Sequence, residues 1–146
     1  MDFPPDIIAQ NLTEFCICFF KNLEYSPDSP PHYYITVPIN DDSSLLLCII
    51  TSQIENRVRY YHNRGSDAAI SSLVKVNKGD LLFLKKESII DCNAPVLILK
   101  KEFHKIVDPD YNCKLITRDI SLQVRKKVVE AIKNSPIVKP FIKKLI

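Results

Sequence analysis

The segment HYYITVPINDDSSLLLCIIT, residues 32–51, decides how the rest of the chain can fold. Residues 32–39 are aromatic and β-branched, which favours a strand, and residues 40–44 are the Asn, Asp and Ser typical of a turn. Residues 45–50 form a continuous apolar run, as expected of a strand that is covered on both faces. The segment therefore predicts an antiparallel β-hairpin.

A basic and aromatic segment follows the hairpin. Residues 57–64, RVRYYHNR, contain three arginines, two tyrosines and one histidine. One interpretation is a nucleic-acid surface, in which arginines bind phosphates and tyrosines stack on unpaired bases. The other is an ordinary hairpin arm that is exposed to solvent, with its tyrosines turned inward. We expect residues 57–61 to extend as a second arm and residues 62–69 to form a loop.

Short strand-like segments continue beyond this loop. They are residues 72–76, 81–84, 88–92 and 96–99, and we expect the last two to pair with each other across a tight Asn-Ala-Pro connection. Residues 100–106 add a helical turn. Several short strands at close spacing, without helices between them, are typical of a small barrel or a curled antiparallel sheet.

Helices are predicted at both ends of the chain. Residues 4–23 repeat apolar side chains at three- and four-residue steps, the pattern of an amphipathic helix, and the proline-rich residues 24–31 form an extended connector. Asp119 or Ser121 can cap a second helix that ends near Asn134. The side chains expected to face the core from this helix are Leu122, Val128, Val129 and Ile132.

The end of the chain is rich in large apolar residues. Pro136 and Pro140 stop the second helix, and the ten residues 137–146 contain six large apolar side chains. These are too many to leave in water, so we expect the tail to pack against the N-terminal helix or a second subunit.

The whole pattern predicts a mainly β fold with flanking helices, of the α+β class. A chain of 146 residues, with 46% hydrophobic and 25% charged residues, is typical of one globular domain. That single domain, residues 1–146, would contain an N-terminal helix at about 4–23, a small antiparallel barrel at about 32–100, and a C-terminal helix and tail at about 119–146.

Several classes of protein are excluded by composition. With only two glycines, Gly65 and Gly79, the chain has no Gly-rich loop for the phosphates of a nucleotide cofactor. The five cysteines are expected to be reduced, buried thiols, and three scattered histidines do not supply a zinc ligand set. We therefore expect no metal and no cofactor.

The N-terminus and the hydropathy indicate where the protein works. Asp2 and Asp6 replace the basic region of a signal peptide, and no apolar run approaches the roughly 20 residues of a membrane helix. We expect a cytoplasmic protein with no membrane contact. The net charge of +3 is uneven, because residues 125–146 hold seven Lys or Arg against one acid. Such a segment either attracts an anionic partner or is simply a helix whose lysine side is solvated.

Three motifs together resemble a known family. HYYITV, LLLCIITSQI and KKESIIDCNAPVLILKKEF, in this order between residues 32 and 106, resemble the MazF/PemK-like toxins. The resemblance implies an SH3-like antiparallel barrel and a metal-independent endoribonuclease that cleaves single-stranded RNA. It also implies a homodimer that is neutralised by an antitoxin protein in a toxin–antitoxin system.

The resemblance further implies a catalytic pair, formed by an arginine before the first strand and a Thr or Ser at the end of the next. The second position falls on Thr51, followed by Ser52, and the arginine position falls on His32. Histidine transfers protons near neutral pH, and Thr51 could donate a hydrogen bond to a phosphate oxygen. The candidate catalytic residues are therefore His32, Thr51 and Ser52. The candidate RNA-binding residues are Arg57, Arg59, Tyr60, Tyr61 and Arg64.

Less specific interpretations account for the same residues. His32 follows two prolines and can be a solvated residue at a strand start, while Thr51 and Ser52 can satisfy neighbouring backbone groups. The alternative function is then a non-catalytic SH3-like module that binds nucleic acid or protein. A catalytic base within reach of Thr51 would separate the two functions.

Overall fold

The computed structural model describes residues 4–146, which form seven β-strands and four α-helices. The strands are β1 (Cys16–Phe20), β2 (His32–Val37), β3 (Ser44–Thr51), β4 (Leu73–Val76), β5 (Ser88–Asp91), β6 (Val96–Leu99) and β7 (Lys114–Thr117). The helices are α1 (Pro5–Asn11), α2 (Ile54–Asn63), α3 (Leu122–Asn134) and α4 (Pro140–Lys143), with short 3₁₀ helices at Asp67–Ser72 and Lys100–Lys105.

The strands form one antiparallel sheet in the order β4-β5-β3-β2-β1-β7. The central strand β3 pairs with β2 along one side, and with both β6 and β5 along the other. The predicted mainly β fold with flanking helices is confirmed. Within residues 4–146, the strand order begins at β4 and ends at β7, and these two strands do not pair with each other. The sheet is therefore not closed into a barrel, and the predicted SH3-like barrel is not confirmed.

The predicted hairpin is present as β2 and β3. Tyr33 pairs with Ile50 at one end and Val37 with Leu46 at the other. In the connection between the strands, Asp41 accepts hydrogen bonds from the backbone and side chain of a nearby serine, as turn chemistry predicts. This hairpin sets the register on which the rest of the sheet is built.

Both faces of the sheet are covered, which explains the unbroken apolar run in β3. On one face Ile35 and Leu46 belong to a cluster that includes the inner side of α3. On the other face Tyr34 and Leu47 belong to a cluster that includes α1 and Phe103 of the Lys100–Lys105 helix. A smaller cluster, formed by Tyr61, Ala69, Leu73 and Ile89, holds α2 against β4 and β5.

The predicted helix at residues 4–23 is wrong beyond Asn11, where α1 ends. Residues 16–20 form β1, which pairs with β2 on one side and β7 on the other. Cys18 packs on one face of the sheet and Ile17 on the other. A strand that is buried on both faces does not alternate, so its apolar residues also matched helical spacing.

The predicted hairpin arm at residues 57–61 is also wrong, because these residues lie in α2. Ile54, Val58 and Tyr61 recur at three- and four-residue steps and form the inner side of the helix. The β-branched and aromatic residues favour a strand locally, and packing against β4 and β5 overrides that preference.

Three smaller predictions about the strands need correction. Residues 81–84 form no strand, although Leu81 and Leu84 are buried in the core. β5 and β6 do not pair with each other but follow one another along the same edge of β3. β7 was not predicted, because its short and partly exposed sequence carries no strong alternation.

The predicted C-terminal helix is confirmed as α3. Ser121 provides the cap, since its Oγ accepts a hydrogen bond from the backbone N–H of Val124 at 3.2 Å. Leu122 is 67% exposed and Val129 is only partly buried, so their predicted core positions are wrong. The residues that face the core are Val124, Val128, Ala131 and Ile132.

The tail after α3 packs on the same core cluster as α3 itself. Val138 is buried, and Ile142 and Ile146 lie against that cluster. The α1 cluster is on the opposite face of the sheet, so the expected packing on the N-terminal helix is wrong.

Within residues 4–146, no helix has the length and apolar content needed to cross a membrane.

Candidate active site

The register of the hairpin brings His32 and Thr51 to the same end of the sheet. Tyr33 pairs with Ile50, so the next pair outward in this antiparallel register is His32 opposite Thr51. Directly opposed side chains lie on the same face, with Cβ atoms roughly 5 Å apart. The two candidate catalytic side chains therefore begin at neighbouring points on one face.

A cavity of about 380 Å³, here called the cleft, opens at this end of the sheet. Its size lies in the range of small-ligand sites. Its walls come from the start of β2, the end of β3 and the segment that leads into β5. The residues that line the cleft are Pro30, Pro31, His32, Tyr33, Ile50, Thr51, Ser52, Gln53, Phe83, Leu84, Lys85, Lys86 and Ser88. All three candidate catalytic residues are among them.

The cleft combines cations with an aromatic wall. Lys85 and Lys86 are exposed at its rim. Tyr33 and Phe83 are half-buried, and their ring centroids lie 4.4 Å apart in a tilted arrangement. A ligand that carries both a negative charge and a planar ring would match these walls.

His32 is half-buried at the start of β2, and its surroundings favour the neutral imidazole. Burial lowers the pKa of His32 below its ordinary value of 6.5, and the positive charge of Arg57 lowers the pKa further. A backbone hydrogen bond at Pro30 acts in the opposite direction, and it is the smallest of the three effects. His32 is therefore mostly neutral at pH 7 and able to accept a proton.

The hydroxyl of Thr51 has a local partner. Its Oγ1 accepts a hydrogen bond from the backbone N–H of Gln53 at 3.1 Å, so its own proton is left to donate. Ser52 is exposed at the end of β3. Ser88, across the cleft, donates its hydroxyl proton to the carbonyl of Lys86 at 3.1 Å. Residues that carry hydroxyl groups therefore line two walls of the cleft.

Three of the five candidate RNA-binding residues lie on the exposed side of α2 or directly after its end. Arg59 and Tyr60 are exposed, and the Arg64 guanidinium lies over the Tyr60 ring with its carbon 3.6 Å from the centroid. Arg64 Nη1 also donates to the backbone carbonyl of Tyr60. We call Arg59, Tyr60 and Arg64 the helix strip. Its cations and its ring are available to solvent.

The other two candidates have internal partners. Tyr61 is 3% exposed and donates its hydroxyl proton to Asp91 Oδ2 at 2.7 Å, so its predicted role in stacking on bases is wrong. Burial and the neighbouring carboxylate both raise the pKa of Tyr61. Arg57 is partly buried and forms an ion pair with Asp91 at 3.0 Å. Its positive charge is one of the two causes that lower the pKa of His32.

Sequence reasoning did not identify Lys85, Lys86 and Asp91 as site residues. The two lysines open the KKES motif, and their position three and two residues before β5 is the signal that could have found them. Asp91 lies 34 residues from Arg57 in the sequence, and no local sequence pattern indicates that the two side chains form a pair.

Among residues 4–146 no group of three or more His, Cys, Asp or Glu side chains is placed to hold a metal ion. The sequence matches no protein-family model and no curated protein. The resemblance described above therefore rests on its three motifs and their order.

Proposed function

We propose that the protein is a metal-independent endoribonuclease that cleaves single-stranded RNA and acts as the toxin of a toxin–antitoxin system. The cleft carries this proposal, because it gathers His32, Thr51 and Ser52 with Lys85 and Lys86 at one end of the sheet. A proton-transfer group, hydroxyl donors and cations around one cavity are what phosphodiester cleavage requires when no metal takes part. The motif resemblance supports the same reaction.

In the proposed reaction the ribose 2′-oxygen attacks the adjacent phosphorus. The 2′-hydroxyl gives its proton to the neutral imidazole of His32, a P–O2′ bond forms and the P–O5′ bond breaks. The imidazolium then gives that proton to the leaving 5′-oxygen. The products are a 2′,3′-cyclic phosphate and a 5′-hydroxyl. Thr51 donates a hydrogen bond to a non-bridging oxygen as negative charge accumulates there.

The accumulating charge also requires groups that stay positive at the working pH. A neutral His32 cannot supply this charge, whereas Lys85 and Lys86 line the cleft and Arg57 lies close enough to influence His32. In this proposal the phosphate enters between the lysines and the end of β3. The adjacent Tyr33 and Phe83 rings would contact a base or sugar.

The remaining features of the family belong to the same proposal. They are a cytoplasmic location, a homodimer, an antitoxin protein as partner and an SH3-like arrangement of the strands. The helix strip, Arg59, Tyr60 and Arg64, would bind nucleotides next to the scissile one, since exposed arginines and aromatic rings bind single strands without base specificity.

The test is cleavage of a labelled, mixed-sequence single-stranded RNA by purified protein in EDTA. We expect products with cyclic-phosphate ends. We expect no cleavage on the 3′ side of a 2′-deoxyribose, because that sugar lacks the attacking 2′-hydroxyl. His32→Ala should reduce the rate at least about a hundredfold, the lower end of the contribution of a positioned acid–base group. Thr51→Ala should reduce the rate by about tenfold or more, as loss of one oriented donor does.

His104→Ala is the matched control, because His104 is an exposed histidine that is hydrogen-bonded to Asp6 and does not line the cleft. It should cleave at the wild-type rate. Cleavage that His32→Ala leaves intact, or that EDTA abolishes, would contradict the proposed reaction.

A non-catalytic binding module is the second candidate. It is favoured by one observation, which is that Arg57 is bound to Asp91 while the family's arginine position holds His32. This candidate predicts that the wild-type protein binds RNA with a salt-dependent affinity and leaves it uncut. If the protein neither binds nor cleaves single-stranded RNA, both the ribonuclease and an RNA-binding module are excluded.

A further inference from the structure

Asp91 is a carboxylate that is fully buried at the end of β5. Its side chain is 0% exposed, and both of its oxygens are engaged. Oδ2 accepts hydrogen bonds from Arg57 Nη1 at 3.0 Å and from the Tyr61 hydroxyl at 2.7 Å. Oδ1 accepts one from the backbone N–H of Asn93 at 3.0 Å. Two of these donors come from α2, so the carboxylate joins that helix to the sheet.

Stability alone does not explain a charge in this place. Taking a carboxylate and a guanidinium out of water costs about as much as their attraction returns, and apolar replacements of such pairs are often as stable. α2 already has an apolar inner side, formed by Ile54, Val58 and the ring of Tyr61. A buried ion pair contributes something that an apolar contact does not, namely a fixed direction for the guanidinium.

Arg57 does not itself line the cleft, but its partner Asp91 holds it near the end of β3 that does, because Thr51 pairs with Ile89, two residues before Asp91. Arg57 follows the end of β3 by six positions and lies in the first turns of α2, where its N–H bonds to the Gln53 carbonyl. Gln53 itself lines the cleft. The Arg57 side chain is 28% exposed, and the bond to Asp91 uses Nη1 while a guanidinium has five N–H donors. Donors therefore remain for an anion on the exposed side.

We propose that Asp91 is a positioning residue that holds the Arg57 guanidinium beside His32, so that α2 supplies the permanent cation that a histidine at position 32 does not. This inference rests on the proposed function and deepens it. The family's single arginine is replaced here by two side chains from different elements. His32 from β2 moves the proton, and Arg57 from α2 carries the charge. Asp91 acts only through Arg57.

Positioning and simple electrostatics predict opposite results for Asp91→Asn. Removal of a negative charge near the cleft makes the cleft more positive, so electrostatics alone predicts tighter binding of an anion. Loss of positioning frees Arg57 to sample many rotamers, so binding should become weaker. The sign of the change in affinity therefore distinguishes the two.

The experiment measures binding of a short, fluorescein-labelled 2′-O-methyl RNA, which cannot be cleaved, by fluorescence anisotropy at one fixed salt concentration. We expect Arg57→Ala and Asp91→Asn each to weaken binding by about tenfold, the size of one lost hydrogen bond between charged groups. Because Asp91 acts through Arg57, the double variant should bind no more weakly than Arg57→Ala alone.

Ser72→Ala is the control for a general loss of stability. Its hydroxyl makes a buried hydrogen bond to the Ala131 carbonyl at 2.7 Å, on elements that do not line the cleft. It should lower the melting temperature and leave RNA affinity unchanged within about twofold. Tighter or unchanged binding by Asp91→Asn, or losses that add in the double variant, would overturn the proposal.

A second measurement needs no RNA, and its wild-type part does not depend on the folding of Asp91→Asn. Nitrogen NMR relaxation of the arginine side chains should report a rigid Arg57 Nε–H group in the wild-type protein and a mobile one in Asp91→Asn. If Asp91→Asn does not fold, a mobile Arg57 in the wild-type protein is still sufficient to reject positioning. If the wild-type protein binds no RNA, the proposed function fails, and Arg57 rigidity alone decides the role of Asp91.

Discussion

At position 32 the surroundings matter as much as the side chain. An imidazole in water is half-protonated near pH 6.5, but burial and the Arg57 charge shift His32 toward its neutral form. A neutral imidazole can accept a proton at pH 7, which a permanently charged arginine cannot do. In the proposed reaction, a histidine at this position therefore separates proton transfer from charge, and the charge falls to Arg57, Lys85 and Lys86.

His32 should titrate below about pH 6.5. Arg57→Ala should raise the pKa of His32, because the variant removes the positive charge that helps to lower it. The measurement is a proton–carbon NMR titration of the three histidine rings, assigned with single His variants. A His32 midpoint at or above that of free histidine would show that the imidazole is not held neutral. An unchanged midpoint in Arg57→Ala would show that the guanidinium does not act on it.

The same shift should make stability depend on pH. Because the folded-state pKa of His32 lies below its unfolded value, the unfolded state binds more protons between the two values. The free energy of unfolding should therefore fall as pH drops through about 6.5 toward the folded-state pKa. Urea denaturation of wild type and His32→Asn at about pH 7.5 and about pH 5.5 measures this. His32→Asn should lose less stability on acidification than wild type.

Among the elements, α3 is the one whose start is decided by a single side chain. The Ser121 hydroxyl accepts the N–H of Val124, whereas Asp119 uses its own N–H in a bond to Thr117 Oγ1. Two residues were candidates for the cap, and the backbone conformation places only Ser121 next to the first helical turn. α3 in turn covers one face of the sheet through Val128 and Ile132.

Ser121→Ala should lower the free energy of unfolding by about 1 kcal/mol, the usual value of a lost N-cap. The measurement is equilibrium urea denaturation followed by circular dichroism. Asp119→Ala is the matched control and should cost at most about 0.5 kcal/mol, because only its attraction to the positive end of the helix is lost. Equal losses in the two variants would mean that Ser121 is not the cap.

At the scale of the whole molecule, the C-terminal tail joins parts that are far apart in sequence. The carbonyl of Leu145 accepts the N–H of Asn40 at 2.7 Å, next to the β2–β3 turn. Lys143 Nζ donates to the Ser135 carbonyl at 2.7 Å. Val138 is 6% exposed within the cluster that α3 shares with the sheet. The tail therefore covers one end of the main core.

Deletion of residues 137–146 should lower the melting temperature by about 10 °C. Burial of Val138 and partial burial of Ile142 and Ile146 contribute about 3–5 kcal/mol together, and each kcal/mol corresponds to about 2–4 °C in a domain of this size. Thermal unfolding followed by circular dichroism measures the change. Phe141→Ser, at a side chain that is 56% exposed, is the control and should shift the midpoint by about 2 °C or less. A truncated protein that melts with wild type would show that the tail adds nothing to the core.

The sequence by itself determined the features that depend on near neighbours. The hairpin of β2 and β3 follows from a polar turn between two apolar runs, and α3 follows from a cap, an apolar period and a proline after its end. The placement of His32 opposite Thr51 follows from that hairpin, because a short connection leaves few possible registers. These signals lie within about 20 residues of one another and can be recognised without knowledge of the rest of the chain.

Only the tertiary structure decided the features that depend on distant partners. β1 is a strand because β2 and β7 bind both of its edges, and α2 is a helix because β4 and β5 receive its apolar side. Lys85 lines the cleft together with Thr51, and Arg57 bonds to Asp91. In each of these pairs the two residues are more than 25 positions apart in the sequence. The sheet stays open because its edge strands do not meet, which no single strand encodes. A segment that is buried on all sides has apolar residues at nearly every position and therefore shows neither the helical nor the strand period. Such a segment becomes a strand or a helix only when its neighbours are in place.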